Sequence, residues 1–209
     1  MNVITIPNGT AQGNCYIAET ESAAVVIDPG YIERKLTKYV ADNPEKIKYI
    51  LLTHRHFDHL CAAVSLRKLT GAKIVIHELD ECGLYSDMLS LSRSMGGSFY
   101  EKADPDAHAD IYVDEGSVIN AGDMAFTVIH TPGHTEGGVC YLCENAIFSG
   151  DTLFKGSIGR TDFPSGNVSE MRASLDRLSR LSDNTVVYPG HGPETTIGEE
   201  KASNMFLKR

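Results

Sequence analysis

The run His54-Arg55-His56-Phe57-Asp58-His59 puts three histidines and an aspartate within six residues, directly behind the nearly all-apolar stretch Tyr49–Thr53. No other feature constrains the fold so strongly. A short apolar run of this kind reads as a strand covered on both faces. The loop that leaves it exposes its side chains while the sheet fixes its base. In extended chain His54 and His56 point the same way, so both can grip one ion. Asp58 and His59 come as the chain turns into a helix, which aims them at a neighbouring position. Imidazole and carboxylate form the ligand set of Zn, and of Fe or Mn. A merely surface-exposed histidine loop would not account for this placement at a strand end.

The same device recurs three times. His134 lies in His130-Thr131-Pro132-Gly133-His134-Thr135, Asp151 in Phe148-Ser149-Gly150-Asp151-Thr152, and His191 in Tyr188-Pro189-Gly190-His191-Gly192. Each follows a strand and sits beside Gly or Pro. Five of the eight histidines then fall under one plan. Of the others, His77 ends a strand and reads as packed or as supporting a ligand. His130 reads as structural, and His108 lies in a polar loop with no assigned role. Cys61 reads as a small buried residue at a helix start.

The rest of the chain alternates short strands with helices. Strands are expected at Val3–Ile6, Asn14–Glu19, Ala23–Ile27, Tyr49–Thr53, Lys73–His77, Asp110–Val113, Ser117–Asn120, Ala125–His130, Gly138–Leu142, Ala146–Ser149 and Thr185–Tyr188. Helices are expected at Ile32–Ala41, His59–Thr70, Asn167–Leu181 and Ile197–Leu207. Leu84, Met88, Leu91, Met95 and Phe99 recur at three- and four-residue steps, which predicts a further helix packed on the core or on a second subunit. A lid over a site, hinged at Gly96-Gly97, is the alternative. Two strand-rich halves that each end in helices imply sheets stacked face to face with helices outside.

Composition narrows the setting. The 209 residues carry a formal charge of −9, which argues against a broad nucleic-acid surface. No run of about 20 apolar residues spans a membrane, and the start lacks the pattern of a secretory signal. With five cysteines, an odd number, reduced thiols and a cytoplasmic setting are expected. Cys140 and Cys143 form a CxxC, but on a strand they point to opposite faces.

The combination THRHFDH, TPGH, SGDTLF and YPGHGP resembles the metallo-β-lactamase superfamily, in order and spacing, over essentially the whole chain. That resemblance implies a four-layer αββα sandwich of the α/β (α+β) class, with a dinuclear site at one edge. It implies that His54, His56 and His134 hold one metal, that Asp58, His59 and His191 hold the second, and that Asp151 bridges them. Two divalent ions, Zn foremost with Fe or Mn as alternatives, would share an activated hydroxide. Asp58 would both bind metal and orient that nucleophile.

Within the superfamily, the usual exported β-lactamases carry cysteine where this chain has Asp151. The flavin-linked di-iron oxidases carry glutamate in place of His56. The stretch from Gly150 to Pro164 and the ending PGHGPETTIGEE are most similar to glyoxalase II and its short bacterial relatives. This implies hydrolysis of a small thioester such as S-lactoylglutathione. The chain departs from that pattern in three places. The family's substrate-binding lysine falls at Arg160, which can hold a carboxylate in a bidentate way or pair with Asp162. The tyrosine two residues on is Asp162, and the glycine after the histidine motif is Ala62. One domain spanning 1–209 is expected, without the C-terminal helical domain by which glyoxalase II binds glutathione. The alternative is a glutathione persulfide dioxygenase with a single iron, which the Gly159–Phe163 stretch also resembles. A metal-binding scaffold without catalysis is the third reading. A homo-oligomer joined through the Leu84–Phe99 stripe is also compatible.

Overall fold

The alternation of apolar residues along the strands decides which layer each one enters. In the computed structural model, which describes residues 1–8, 11–97 and 100–207, two six-stranded sheets stack face to face. The first comprises β1 (Asn2–Asn8), β2 (Gly13–Glu19), β3 (Ala24–Ile27), β4 (Ile47–Leu51), β5 (Lys73–His77) and β6 (Ile111–Val113), side by side in that order. The second contains β7 (Val118–Ala121), β8 (Met124–His130), β9 (Val139–Cys143), β10 (Ala146–Gly150), β13 (Val186–Pro189) and β14 (Thr195–Thr196), in the order β14-β13-β10-β9-β8-β7. A small hairpin, β11 (Leu153–Phe154) with β12 (Ser157–Ile158), stands apart. Each sheet is mixed, with parallel pairs through β3-β4-β5-β6 in one and at β10-β13 in the other, where the edge pair β13-β14 is again antiparallel. Parallel neighbours require crossovers, and these carry the helices.

Leu51 and Val75 face inward and meet Phe126, Val128, Tyr141 and Phe148 of the opposite sheet. Their neighbours Ile50, Leu52 and Ile74 face outward and pack with Leu36 and Leu66, from helices α1 (Arg34–Asp42) and α3 (Ala63–Thr70). On the far side Cys140, Ile147 and Val187 pack under Met171, Leu175 and Leu178 of α5 (Val168–Leu178) and Ile197 of α6 (Ile197–Ser203). The layers therefore run αββα. Cys140 and Cys143 enter different layers, as the strand geometry requires.

Most strand expectations hold to within two residues, and Lys73–His77 holds at both ends. The helical segments differ more. The expected helix His59–Thr70 is two, α2 (Phe57–Leu60) and α3, because the Ala62 N–H leaves the helix and donates to the Pro29 carbonyl at 2.9 Å. The helix expected through Leu84, Met88, Leu91 and Met95 does not form. In its place are α4 (Cys82–Tyr85), a run of turns and a short π-helical turn Ser92–Gly96. The Asp87 carboxylate accepts from Ser92 Oγ at 2.9 Å and from the Ala103 N–H at 2.8 Å. Ser90 Oγ accepts from the Ser92 N–H at 3.4 Å. Asp and Ser side chains of this kind compete with helical backbone bonds. Leu91, at φ 66°, lies in the left-handed region and ends any helix there. Phe99 of that stripe lies outside the described residues. Among the described residues no helix is long and apolar enough to cross a membrane.

All five thiols are free, and Cys15, Cys61, Cys140 and Cys143 are buried. Burial pushes Cys61 up to about 12 and Cys140 up to about 11, which suppresses the reactive thiolate. Native protein should therefore release about one equivalent of colour with a chromogenic disulfide, from the half-exposed Cys82, and five after denaturation. Rapid reaction of three or more thiols in native protein would contradict this packing.

Candidate metal centre

All seven expected ligand residues stand at the same edge of the sandwich, on four segments that follow β4, β8, β10 and β13. His54, His56 and His134 each offer a ligand atom within 4.8 Å of the others, and so do Asp58, His59 and His191. Asp151 lies between the two groups. Its oxygens are 3.4 Å from His59 Nε2, 3.4 Å from His134 Nε2 and 3.7 Å from His191 Nε2. His56 Nδ1 faces His134 Nε2 at 2.8 Å, and His59 Nε2 faces His191 Nε2 at 3.4 Å. Asp58 Oδ2 is 3.3 Å from His191 Nε2.

The outward nitrogens fix the tautomers. His134 Nδ1 meets the Arg160 carbonyl at 2.7 Å, and His191 Nδ1 meets the Gln12 carbonyl at 3.2 Å. A carbonyl only accepts, so each ring donates there and turns the lone pair of Nε2 inward. His59 Nδ1 is held by Asp28 Oδ2 at 3.0 Å. Thr53 Oγ1 donates to Asp28 Oδ2 at 2.6 Å and can then accept from His54 Nδ1 at 3.1 Å. This is how metal-ligating imidazoles are oriented.

The donors fit a cation. His54 Nε2 and Asp151 Oδ1 are buried without a hydrogen-bond partner, a costly state for polar atoms unless something else binds them. Burial, with the neighbouring imidazoles, holds His54 and His56 well below the usual histidine range, so both stay neutral. Burial works against the Asp58 carboxylate, but His59 and His191 outweigh it and keep Asp58 ionised. Burial also works against a charge on His59. Asp151, Asp58 and Asp28 overcome it and raise that ring to about 10. A field that holds a proton so firmly also attracts a divalent cation in its place.

Residues outside the sequence reading complete the frame. Asp28, buried and at φ 52°, binds the Thr53 N–H at 2.8 Å as well as Thr53 Oγ1 and His59. The only local sign of it is its place in Asp28-Pro29-Gly30, which reads as a turn. Asp80, with no exposed surface, accepts from the Arg55 N–H and from Thr135 Oγ1, and sits 3.5 Å from the Arg55 guanidinium. Arg55 in turn donates to the Pro164 carbonyl and to Ser165. One buried ion pair thus joins the His54–His56 loop, the His134 turn and the loop that carries Arg160 and Phe163.

Above the ligands opens a pocket of about 450 Å³. Its walls are apolar, with Phe57, Leu91, Met95, Tyr100, Phe154 and Phe163. Leu91, Met95 and Tyr100 place part of the 83–110 segment over the site, where the lid alternative put it. Arg160 also lines the pocket, but its guanidinium makes two 2.8 Å bonds to Asp162 and lies 4.2 Å above the Phe163 ring. The structure thus shows the pairing with Asp162, at a side chain that also borders the pocket.

Glycine is required where the backbone passes the ligands. A Cβ at Gly190 would collide with Asp151 Oδ1 and the His59 ring. Gly190→Ala should shift Asp151 and lower activity by about 10²-fold, the cost of roughly 1 Å of misplacement. Metal analysis and steady-state kinetics on the variant check this, and wild-type kcat would refute the close approach.

Residues 8–191 match the model of the metallo-β-lactamase superfamily. The hydroxyacylglutathione hydrolase GloC of Haemophilus influenzae is 34% identical, over 99% of this chain and 98% of that protein. Among solved structures, BLEG-1, a B3 metallo-β-lactamase, aligns over all of both chains with a TM-score of 0.91 and 34% identity. TTHA1623, solved in a di-iron-bound form, aligns over 98% of this chain and all of its own with a TM-score of 0.85 and 36% identity. The chain belongs to the metallo-β-lactamase superfamily, and GloC is a homologue along its full length. Members of this superfamily bind divalent metals, and the histidine and aspartate groups described above are this chain's counterpart.

Proposed function

We propose that this metal-dependent hydrolase is a thioesterase of the glyoxalase II type, acting on S-lactoylglutathione or a related small thioester. The position of Asp151 carries the reading. It lies between two ligand triads, at the floor of a pocket large enough for a small substrate. His54, His56 and His134 would hold one divalent ion and Asp58, His59 and His191 the other, with Zn favoured and Fe or Mn accepted by the same donors. Such a pair supplies Lewis acidity and a water made acidic enough to attack near neutral pH.

The chain's own groups do the rest. Asp58, kept ionised by His59 and His191, accepts a hydrogen bond and so orients the attacking water. The walls formed by Phe57, Tyr100 and Phe163 exclude bulk water and strengthen the electrostatics inside. Among the described residues the pocket is lined by no lysine and by no histidine beyond the ligand set itself. A thiolate needs no such acid, which favours a thioester over an amide. The homologue's name, hydroxyacylglutathione hydrolase, points the same way. Arg160, released from Asp162, would meet a substrate carboxylate.

The test is release of free thiol from S-lactoylglutathione and a panel of acyl thioesters, run beside metal analysis. Thiol release with about two metals per chain is the expected result. One iron per chain with oxygen uptake on glutathione persulfide would replace this reading with the dioxygenase. Hydrolysis of a β-lactam with no thioester turnover would replace it with a lactamase.

A further inference from the structure

His77, Asp114 and His130 form a second group of ligand-type side chains, and none of them lines the pocket over the metal centre. His77 ends β5 in the first sheet, His130 ends β8 in the second, and Asp114 follows β6. The two imidazoles stack with centroids 4.5 Å apart and planes 18° from parallel. One ligand atom from each of the three residues lies within 4.8 Å of the other two. Asp114 Oδ1 is 3.6 Å from His77 Nε2, too long for a hydrogen bond.

The anchor of His130 resembles those of the metal centre. His130 Nε2 donates to the Glu136 carbonyl at 2.9 Å, which leaves the lone pair on Nδ1. Burial, and then His130 beside it, hold the His77 ring below the usual histidine range, so it stays in the neutral form that binds metal. His77 Nδ1 accepts the Leu79 N–H at 3.2 Å.

We propose that His77, His130 and Asp114 form a third cation site, taking a divalent transition ion of the imidazole-binding class such as Zn²⁺ or Ni²⁺. His77 binds through Nε2. Its proton moves to Nδ1, and the Leu79 N–H exchanges a long hydrogen bond for water at the surface. Asp114, exposed and with its Oδ1 held by the Glu115 N–H at 2.7 Å, brings the anionic oxygen. The site staples one sheet to the other. It also braces the metal centre from behind, because His130 opens the turn that carries His134 and His77 opens the turn that carries Asp80.

The experiment titrates Zn²⁺ into protein already holding its full complement of tightly bound metal, by calorimetry and by thermal unfolding. One further Zn²⁺ per chain is expected, with Tm rising by about 5–11 °C once free zinc reaches about 100 times Kd. His130→Ala should remove both effects, and Asp114→Asn, at an exposed position, should weaken the affinity several-fold. Weakening in either variant supports the site, so Asp114→Asn decides if His130→Ala does not fold. No zinc beyond that of the metal centre, or equal extra binding by wild type and both variants, overturns it.

Discussion

Asp151→Ala should lower hydrolytic activity by about 10²–10³-fold or more, the scale set by losing one preorganised electrostatic group. Metal content should fall from two ions toward one. Two divalent cations roughly 3.5–4 Å apart repel each other strongly. In this chain Asp151, with contacts to His59, His134 and His191, would be the carboxylate that offsets that repulsion. Asp151→Asn keeps the shape and loses the charge, so it should bind metal nearly as poorly as the alanine variant. The Asp151 side chain is only 12% exposed, so anions from bulk solvent have little access to its place. Measured metal per chain and kcat on both variants decide the matter. An alanine variant with two ions and wild-type kcat would remove Asp151 from the bridging position.

Metal removal should have the largest effect on stability. A strong chelator is expected to abolish activity and to lower Tm by roughly 8–16 °C. This follows from about 4 kcal/mol of linkage for metal held at about 1,000 times Kd, with about 2–4 °C per kcal/mol in a chain of this size. The structural cause is local. Without a cation, His54 Nε2 and Asp151 Oδ1 have no hydrogen-bond partner, and several imidazoles converge with only carboxylates to balance them. Differential scanning calorimetry before and after chelation, with re-addition of Zn²⁺, checks this. An unchanged Tm would mean that the donor cluster is stable by itself.

The candidate ligand residues stood out in the sequence because each lies just past an apolar strand, four of them clustered after β4 and the other three singly beside Gly. The layers were legible in outline, since the nearly all-apolar run of β4 had to be covered on both faces and each strand-rich half ended in helices. Asp28 and Asp80 were not. Each is a single buried carboxylate whose partners, Thr53 and His59 or Arg55 and Thr135, lie 25 to 55 residues away, and no period marks such a pairing. The 83–110 segment was misread for the opposite reason. Its apolar spacing is helical, but Asp87, Ser90 and Ser92 capture backbone groups, and Leu91 turns left-handed. What the spacing did preserve is function of position, since Leu91 and Met95 still share one side and face the pocket.

The donors are divided between the sheets. His54, His56, Asp58 and His59 follow a strand of the first, while His134, Asp151 and His191 follow strands of the second. Neither half of the molecule owns a complete binding site. Affinity for metal is therefore a gauge of how well Tyr16, Phe126 and Phe148 keep the halves in register. A substitution deep in that interior, far from any donor, would be felt first as a loosened grip on the ion and only later as unfolding.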